Sequence, residues 1–111
     1  MPTLYNFAYA CFDCRKSFKR ALDNVDPKDY PKTMVCPDCG GDAVCLGRHF
    51  KPPKRSEHKQ WAKVRFLWEN GFRFQKIRPD PNSIESIPYP RTLEDAKSFV
   101  LDYADYARFD I

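Results

Sequence analysis

Hydrophobic and polar positions along the chain change period three times. Residues 4–10 alternate, with Tyr5, Phe7 and Tyr9 on one side and smaller residues on the other, which is the pattern of a β-strand. Residues 17–22 read as its return strand. Residues 23–32 are polar and broken by Pro27 and Pro31, which predicts a surface loop. Short strands are then predicted over 33–35 and 42–50. Pro52 and Pro53 exclude a helix over 51–55 and leave a stiff extended connector. A helix follows, with Ser56 as its expected N-cap, Glu57 in its first turn and Asn70-Gly71 as its stop. On that helix Trp61, Val64 and Trp68 share one face with Leu67 at its edge. Lys59 and Lys63 lie roughly opposite, and Phe66 falls on their side. Alternation returns over 72–77 and predicts a strand. The four prolines of 79–91 predict a loop, and Thr92-Leu-Glu-Asp opens a second helix like a capping box. Its expected buried stripe is Leu93, Ala96, Val100, Tyr103 and Ala107. Glu94, Asp95, Asp102 and Asp105 form an acidic back.

Cysteines fall at the turns of the first half of this pattern. Cys11/Cys14 and Cys36/Cys39 are two Cys-x-x-Cys pairs with 21 residues between them. Each pair makes a tight turn that aims two sulfurs at one point, and two such turns supply the four thiolates of a tetrahedral Zn²⁺ site. Four protein ligands close the shell, so the expected role of the ion is structural. Iron is the competing occupant, because thiolate tetrads accept either metal. The odd cysteine, Cys45, reads as a small buried apolar residue on an outgoing strand.

Size and charge narrow the possibilities. A chain of 111 residues is near the lower end for building a core unaided, and a metal is a common supplement. Aromatic residues make up 15% of it, which favours a packed globule although 31% of residues are charged. No apolar run reaches the length of a membrane span, and no leader pattern opens the chain. An odd cysteine count fits a disulfide framework poorly, so a reducing cytoplasm is expected. The net charge of +4 is unevenly spread: residues 48–79 carry +8 and residues 80–111 carry −4. Arg48, Lys51, Lys54 and Arg55 surround the proline pair, and Lys59 and Lys63 continue the row along the helix. Such a strip suits the phosphates of a nucleic acid, RNA or DNA. Tyr5, Phe7, Tyr9 or Phe66 are candidates to stack on bases. The bland alternatives are an internal pairing with the acidic back of the second helix, or solubility alone. His49 and His58 flank the connector without a carboxylate at catalytic spacing. No nucleophile–base order or glycine-rich phosphate loop stands out, so little points to an enzyme.

The motifs Cys-Phe-Asp-Cys-Arg-Lys-Ser-Phe and Cys-Pro-Asp-Cys-Gly-Gly make the first 50 residues resemble the zinc-ribbon superfamily. They are most similar to small bacterial proteins carrying Cys-x-x-Cys-x-x-x-Phe followed by Cys-Pro-x-Cys-Gly. The resemblance implies antiparallel β-hairpins bearing two Cys-x-x-Cys knuckles for those residues only. With the helix–strand–loop–helix segment read from the pattern above and expected to pack on them, the whole is a small α+β fold: a ribbon (1–50), a basic connector (51–55) and an extension (56–111) that form one compact unit, since about 55 residues are marginal for folding alone. Zinc ribbons serve nucleic-acid binding and protein docking alike, so a nucleic-acid partner and a protein partner both remain open. The second cysteine pair also looks like that of rubredoxins. The first pair lacks their glycine–aromatic continuation, and the stretch between the pairs is short for them.

Overall fold

The computed structural model describes residues 7–20, 29–47, 50–80 and 82–109. Four short strands form one antiparallel sheet: β1 (Phe7–Cys11), β2 (Lys16–Arg20), β3 (Thr33–Val35) and β4 (Asp42–Cys45), in the order β2-β1-β4-β3. Register pairs Cys11 with Lys16 at the β1–β2 turn, Tyr9 with Cys45 across β1–β4, and Val35 with Asp42 across β3–β4. Both cysteine turns therefore emerge at the same end of the sheet. Two helices follow, α1 (His58–Glu69) and α2 (Leu93–Asp102), the latter running into a single 3-10 turn at Ala104–Tyr106.

The alternation in β1 divides the core. Ala8 and Ala10, with Val44 and Leu46, face α1, where they join Phe50, Trp61 and Val64. Their small size lets the large aromatics of the helix side lie close to the strand backbone. On the opposite face, Tyr9, Cys11, Cys36 and Ala43 are buried, with Phe7, Phe18, Met34 and Cys45 half-buried around them. A third cluster lies farther along α1: Leu67, Phe72, Ile77, Ala96 and Phe99 are buried together, and it joins α1 to α2.

Several sequence expectations change. Residues 4–6, 21–28, 48 and 49 lie outside the described residues, and with them parts of the expected first, second and fourth strands and most of the polar loop. Where that loop is described, Tyr30 is buried against Phe7, and Tyr9 Oη donates to the Pro31 carbonyl at 2.7 Å. The fourth strand ends at Cys45 rather than Phe50. There Gly47 takes φ +75°, and both the Leu46 N–H and the Gly47 carbonyl bond to Ala8, a two-against-one bulge that terminates pairing. Helix α1 starts after Glu57, not Ser56. The Lys54 carbonyl accepts from both the Glu57 N–H (2.9 Å) and Trp61 Nε1 (3.0 Å), and the resulting turn displaces the helix start. At the other end Asn70-Gly71 behaves as expected. Gly71 has φ +89°, its N–H reaches Trp68 O, and the Phe72 N–H reaches Leu67 O, which is a Schellman closure.

No strand forms over 72–77. Phe74 sits at φ 60°, which breaks an extended run, and Gln75 takes over the backbone bonding that a ladder would supply. Its Nε2 donates to the carbonyls of Gly71 (3.0 Å) and Tyr106 (3.2 Å), and its Oε1 accepts the Arg73 N–H. Burial does not alternate over this stretch: Phe72, Arg73 and Ile77 are buried, Phe74 and Gln75 are half-buried and Lys76 is exposed, all within a loop. In α2, Thr92 Oγ1 caps Asp95 N–H at 3.1 Å as predicted. The stripe differs: Ala96 and Phe99 are buried, Leu93, Val100 and Tyr103 are half-buried, and Ala107 lies beyond the helix. The acidic residues Glu94, Asp95, Asp102 and Asp105 are exposed.

Candidate metal centre

The first cysteine turn follows β1 and the second follows β3, so the pairing of β1 with β4 and β4 with β3 carries both turns to one place. There the ligand sulfurs of Cys11, Cys14, Cys36 and Cys39 all lie within 4.8 Å of one another. Cys11 Sγ is 3.7 Å from Cys39 Sγ, and Cys36 Sγ is 3.9 Å from Cys14 Sγ. Four sulfurs at the Zn–S bond length stand about 3.8 Å apart on the edges of a tetrahedron. The cluster thus already has the dimensions of a tetrathiolate site for Zn²⁺ or iron, with Cys11, Cys14, Cys36 and Cys39 as the residues that would hold the ion. Cys11 and Cys36 are buried while Cys39 is exposed, so the site lies at the surface with one side open.

The second turn is closed by backbone bonds: the Gly40 N–H to Cys36 O (2.9 Å) and the Cys36 N–H to Gly41 O (2.7 Å). The Gly41 N–H points at Cys39 Sγ from 3.4 Å. A Cβ at Gly41 would stand 3.3 Å from that sulfur. The Cys39 amide, then that of Asp38, pulls the Cys36 thiol down to about 7. The hydrogen bond with the Cys39 thiol, then burial, pushes Cys14 up to about 12, and burial raises Cys11. Four sulfurs this close cannot all ionise unaided; a cation among them removes that conflict.

The two turns differ at one corresponding position. The residue after the second cysteine is left-handed in both: Gly40 at φ +74° and Arg15 at φ 53°. A side chain in that region costs roughly 1–2 kcal/mol. Arg15 Nε donates to the Arg55 carbonyl (3.1 Å), and Arg55 Nε donates to the Cys14 carbonyl (3.0 Å). The connector is thereby latched to the first turn. Phe12, inside the same turn, packs on Trp61 (6.5 Å between centroids) and Trp68 (5.8 Å), joining the sulfur site to α1. Sequence reading singled out neither Arg15 nor Phe12. Both lie within the Cys-x-x-Cys-x motif, but their partners are 40 or more residues away.

The predicted basic row is only partly realised. Lys51, Lys54, Arg55 and Lys59 are exposed, and among the described residues none is ion-paired. Lys63 is half-buried, with Nζ bonded to Gln60 Oε1 at 2.7 Å and its pKa lowered by burial. Arg48 and Tyr5 lie outside the described residues, as does His49. Among the described residues the acidic face of α2 forms no ion pair with a member of the row; Glu94 pairs with Lys97 on its own helix. The aromatic candidates fare poorly. Tyr9 is 0% exposed, Phe7 packs edge-on against Tyr30, and Phe66 is half-buried against the Phe72–Phe99 cluster. Cys45, paired with Tyr9 in the sheet, is not a member of the sulfur cluster, and burial raises its pKa.

No family model matches this chain, and neither does any curated protein or solved structure. No helix among the described residues is long and apolar enough to cross a membrane.

Proposed function

We propose that this chain is a cytoplasmic zinc-ribbon protein of bacterial type, in which a structural Zn²⁺ on Cys11, Cys14, Cys36 and Cys39 fixes a basic surface against the backbone of a nucleic acid. The ribbon (1–50), the connector (51–55) and the extension (56–111) act as one unit in this reading. Four thiolates leave no open coordination position, which favours a structural over a catalytic ion. The observation that carries the binding role is the exposure of Lys51, Lys54, Arg55 and Lys59, without an ion pair among the described residues, on a connector and helix start that Arg55 ties to the Cys14 carbonyl. Each cation that neutralises a phosphate releases counterions, so affinity should fall steeply with salt. Fluorescence anisotropy with labelled RNA and DNA oligonucleotides at several salt concentrations tests this. Salt-dependent binding supports it, and no binding at low salt overturns it.

A docked protein is the second reading, favoured by Val35, which is 72% exposed on the edge strand β3 next to Cys36. Phe66, whose place on the lysine side of α1 would suit such a partner, is half-buried against the Phe72–Phe99 cluster and does not serve. Capture of a partner that survives nuclease treatment and is lost in Val35→Asp would favour docking. Bound iron, with its visible absorption, would instead indicate electron transfer.

A further inference from the structure

We propose that Arg15 and Arg55 form a paired-guanidinium site for a phosphodiester, built on the first cysteine turn. The inference rests on the nucleic-acid reading above and assigns part of its contact surface. The two arginines are 40 residues apart in sequence, and each uses Nε alone: Arg15 toward the Arg55 carbonyl, Arg55 toward the Cys14 carbonyl. These two bonds bring both guanidinium groups to the same turn and hold their stems. The Nη1 and Nη2 groups of both have no hydrogen-bond partner among the described residues. An arginine held by Nε still offers its two Nη groups as a fork, the geometry that phosphate oxygens accept in pairs.

Nearby carboxylates do not neutralise the pair. Asp38 is bound to Lys16 at 2.8 Å, and although Arg55 adds to the field that lowers its pKa, no ion pair joins them. Glu57 turns its Oε1 to the Lys54 N–H. Asp13 is exposed on the same turn, without an ion pair to either arginine. Arg15 also holds the left-handed position that Gly40 fills in the second turn, so a side chain stands where glycine is easier. The competing role is compensation of the negative charge of a metal tetrathiolate. Against it, both Nε bonds go to backbone carbonyls, and among the described residues no arginine bonds a sulfur.

The experiment compares wild type with Arg15→Gly/Arg55→Ala and Arg15→Lys/Arg55→Lys, all metal-loaded, by anisotropy with a fluorescein-labelled poly(U) RNA at several salt concentrations. Glycine suits the left-handed backbone at 15, and the lysine pair keeps the charge while removing the fork. Bound zinc and thermal melting are measured alongside. The site predicts that the Gly/Ala variant binds roughly tenfold more weakly, with a log–log salt slope reduced by about 1.4, the share of two phosphate contacts on a single strand. It predicts intermediate weakening for the lysine pair, with zinc retained. A wild type that binds while the zinc-loaded lysine variant binds equally well overturns the paired-fork site and leaves the nucleic-acid function standing. Loss of zinc from the Gly/Ala variant, with full zinc and full binding in the lysine variant, identifies charge compensation instead. A wild type that binds no RNA or DNA overturns both.

Discussion

The two ends of this molecule are held by different means. At the sulfur end the strands are three to five residues long, β2 and β3 have largely half-buried or exposed side chains, and Cys11 and Cys36 are themselves among the buried residues. At the aromatic end Phe72, Tyr89 and Tyr103 each pack on the Phe99 ring and Phe74 packs on Tyr89, with ring centroids about 5 Å apart, around Leu67, Ile77 and Ala96. Packing of that kind needs no ion. The sulfur end packs a smaller cluster in which two of the four buried members are cysteines, and it is suited to coordination, which supplies on the order of 10 kcal/mol in small zinc peptides. A short chain can thus combine a small packed core with a cross-linked, exposed edge, and the edge stays available for contact. Trp61 and Phe12 sit between the two regimes and couple them.

The contrast can be broken most severely at a buried ligand. Cys36→Ser should abolish stoichiometric metal and unfold the sheet, because about 10 kcal/mol is comparable to the whole stability of a small domain. Circular dichroism and metal analysis check it; a variant that keeps both its metal and its sheet would contradict the division. Phe72→Ala probes the opposite end. It should cost about 3–5 kcal/mol in urea unfolding, by deleting a fully buried ring, while bound metal is retained in the folded fraction. Loss of metal before unfolding would mean that the two ends behave as one. Gly71→Ala should cost about 2 kcal/mol, since the residue is left-handed and a Cβ there would meet Ala107 Cβ at 2.8 Å. Thr92→Ala removes the cap of α2 and should cost about 1 kcal/mol, seen as a small fall in melting temperature without change in metal content.

What the sequence disclosed follows the same boundary. Ligand spacing is a local property, so Cys11, Cys14, Cys36 and Cys39 could be read from the chain and are brought together. Asn70-Gly71 and Thr92 were legible for the same reason: caps are chosen by residues a few positions away. Burial depends on distant partners. Phe99 was missed although Ala96, Val100, Tyr103 and Ala107 of the expected stripe pack in the same cluster, because its burial depends on Leu67 and Phe72 of distant segments. Residues 72–77 alternate like a strand, yet their apolar positions answer to α1 and α2 instead of a neighbouring strand. Ser56 lost its expected capping role to a turn set by the Trp61 indole. The Arg15–Arg55 latch was invisible, since neither arginine is distinguished until the fold places Cys14 beside the connector.

Metal content measured together with thermal unfolding, before and after a strong chelator, tests the central assignment most directly. The account predicts one zinc per chain, lost on chelation, with the cooperative transition of the sheet lost along with it. Protein that is free of metal, reduced at all five cysteines and still melts cooperatively at an unchanged temperature would contradict it.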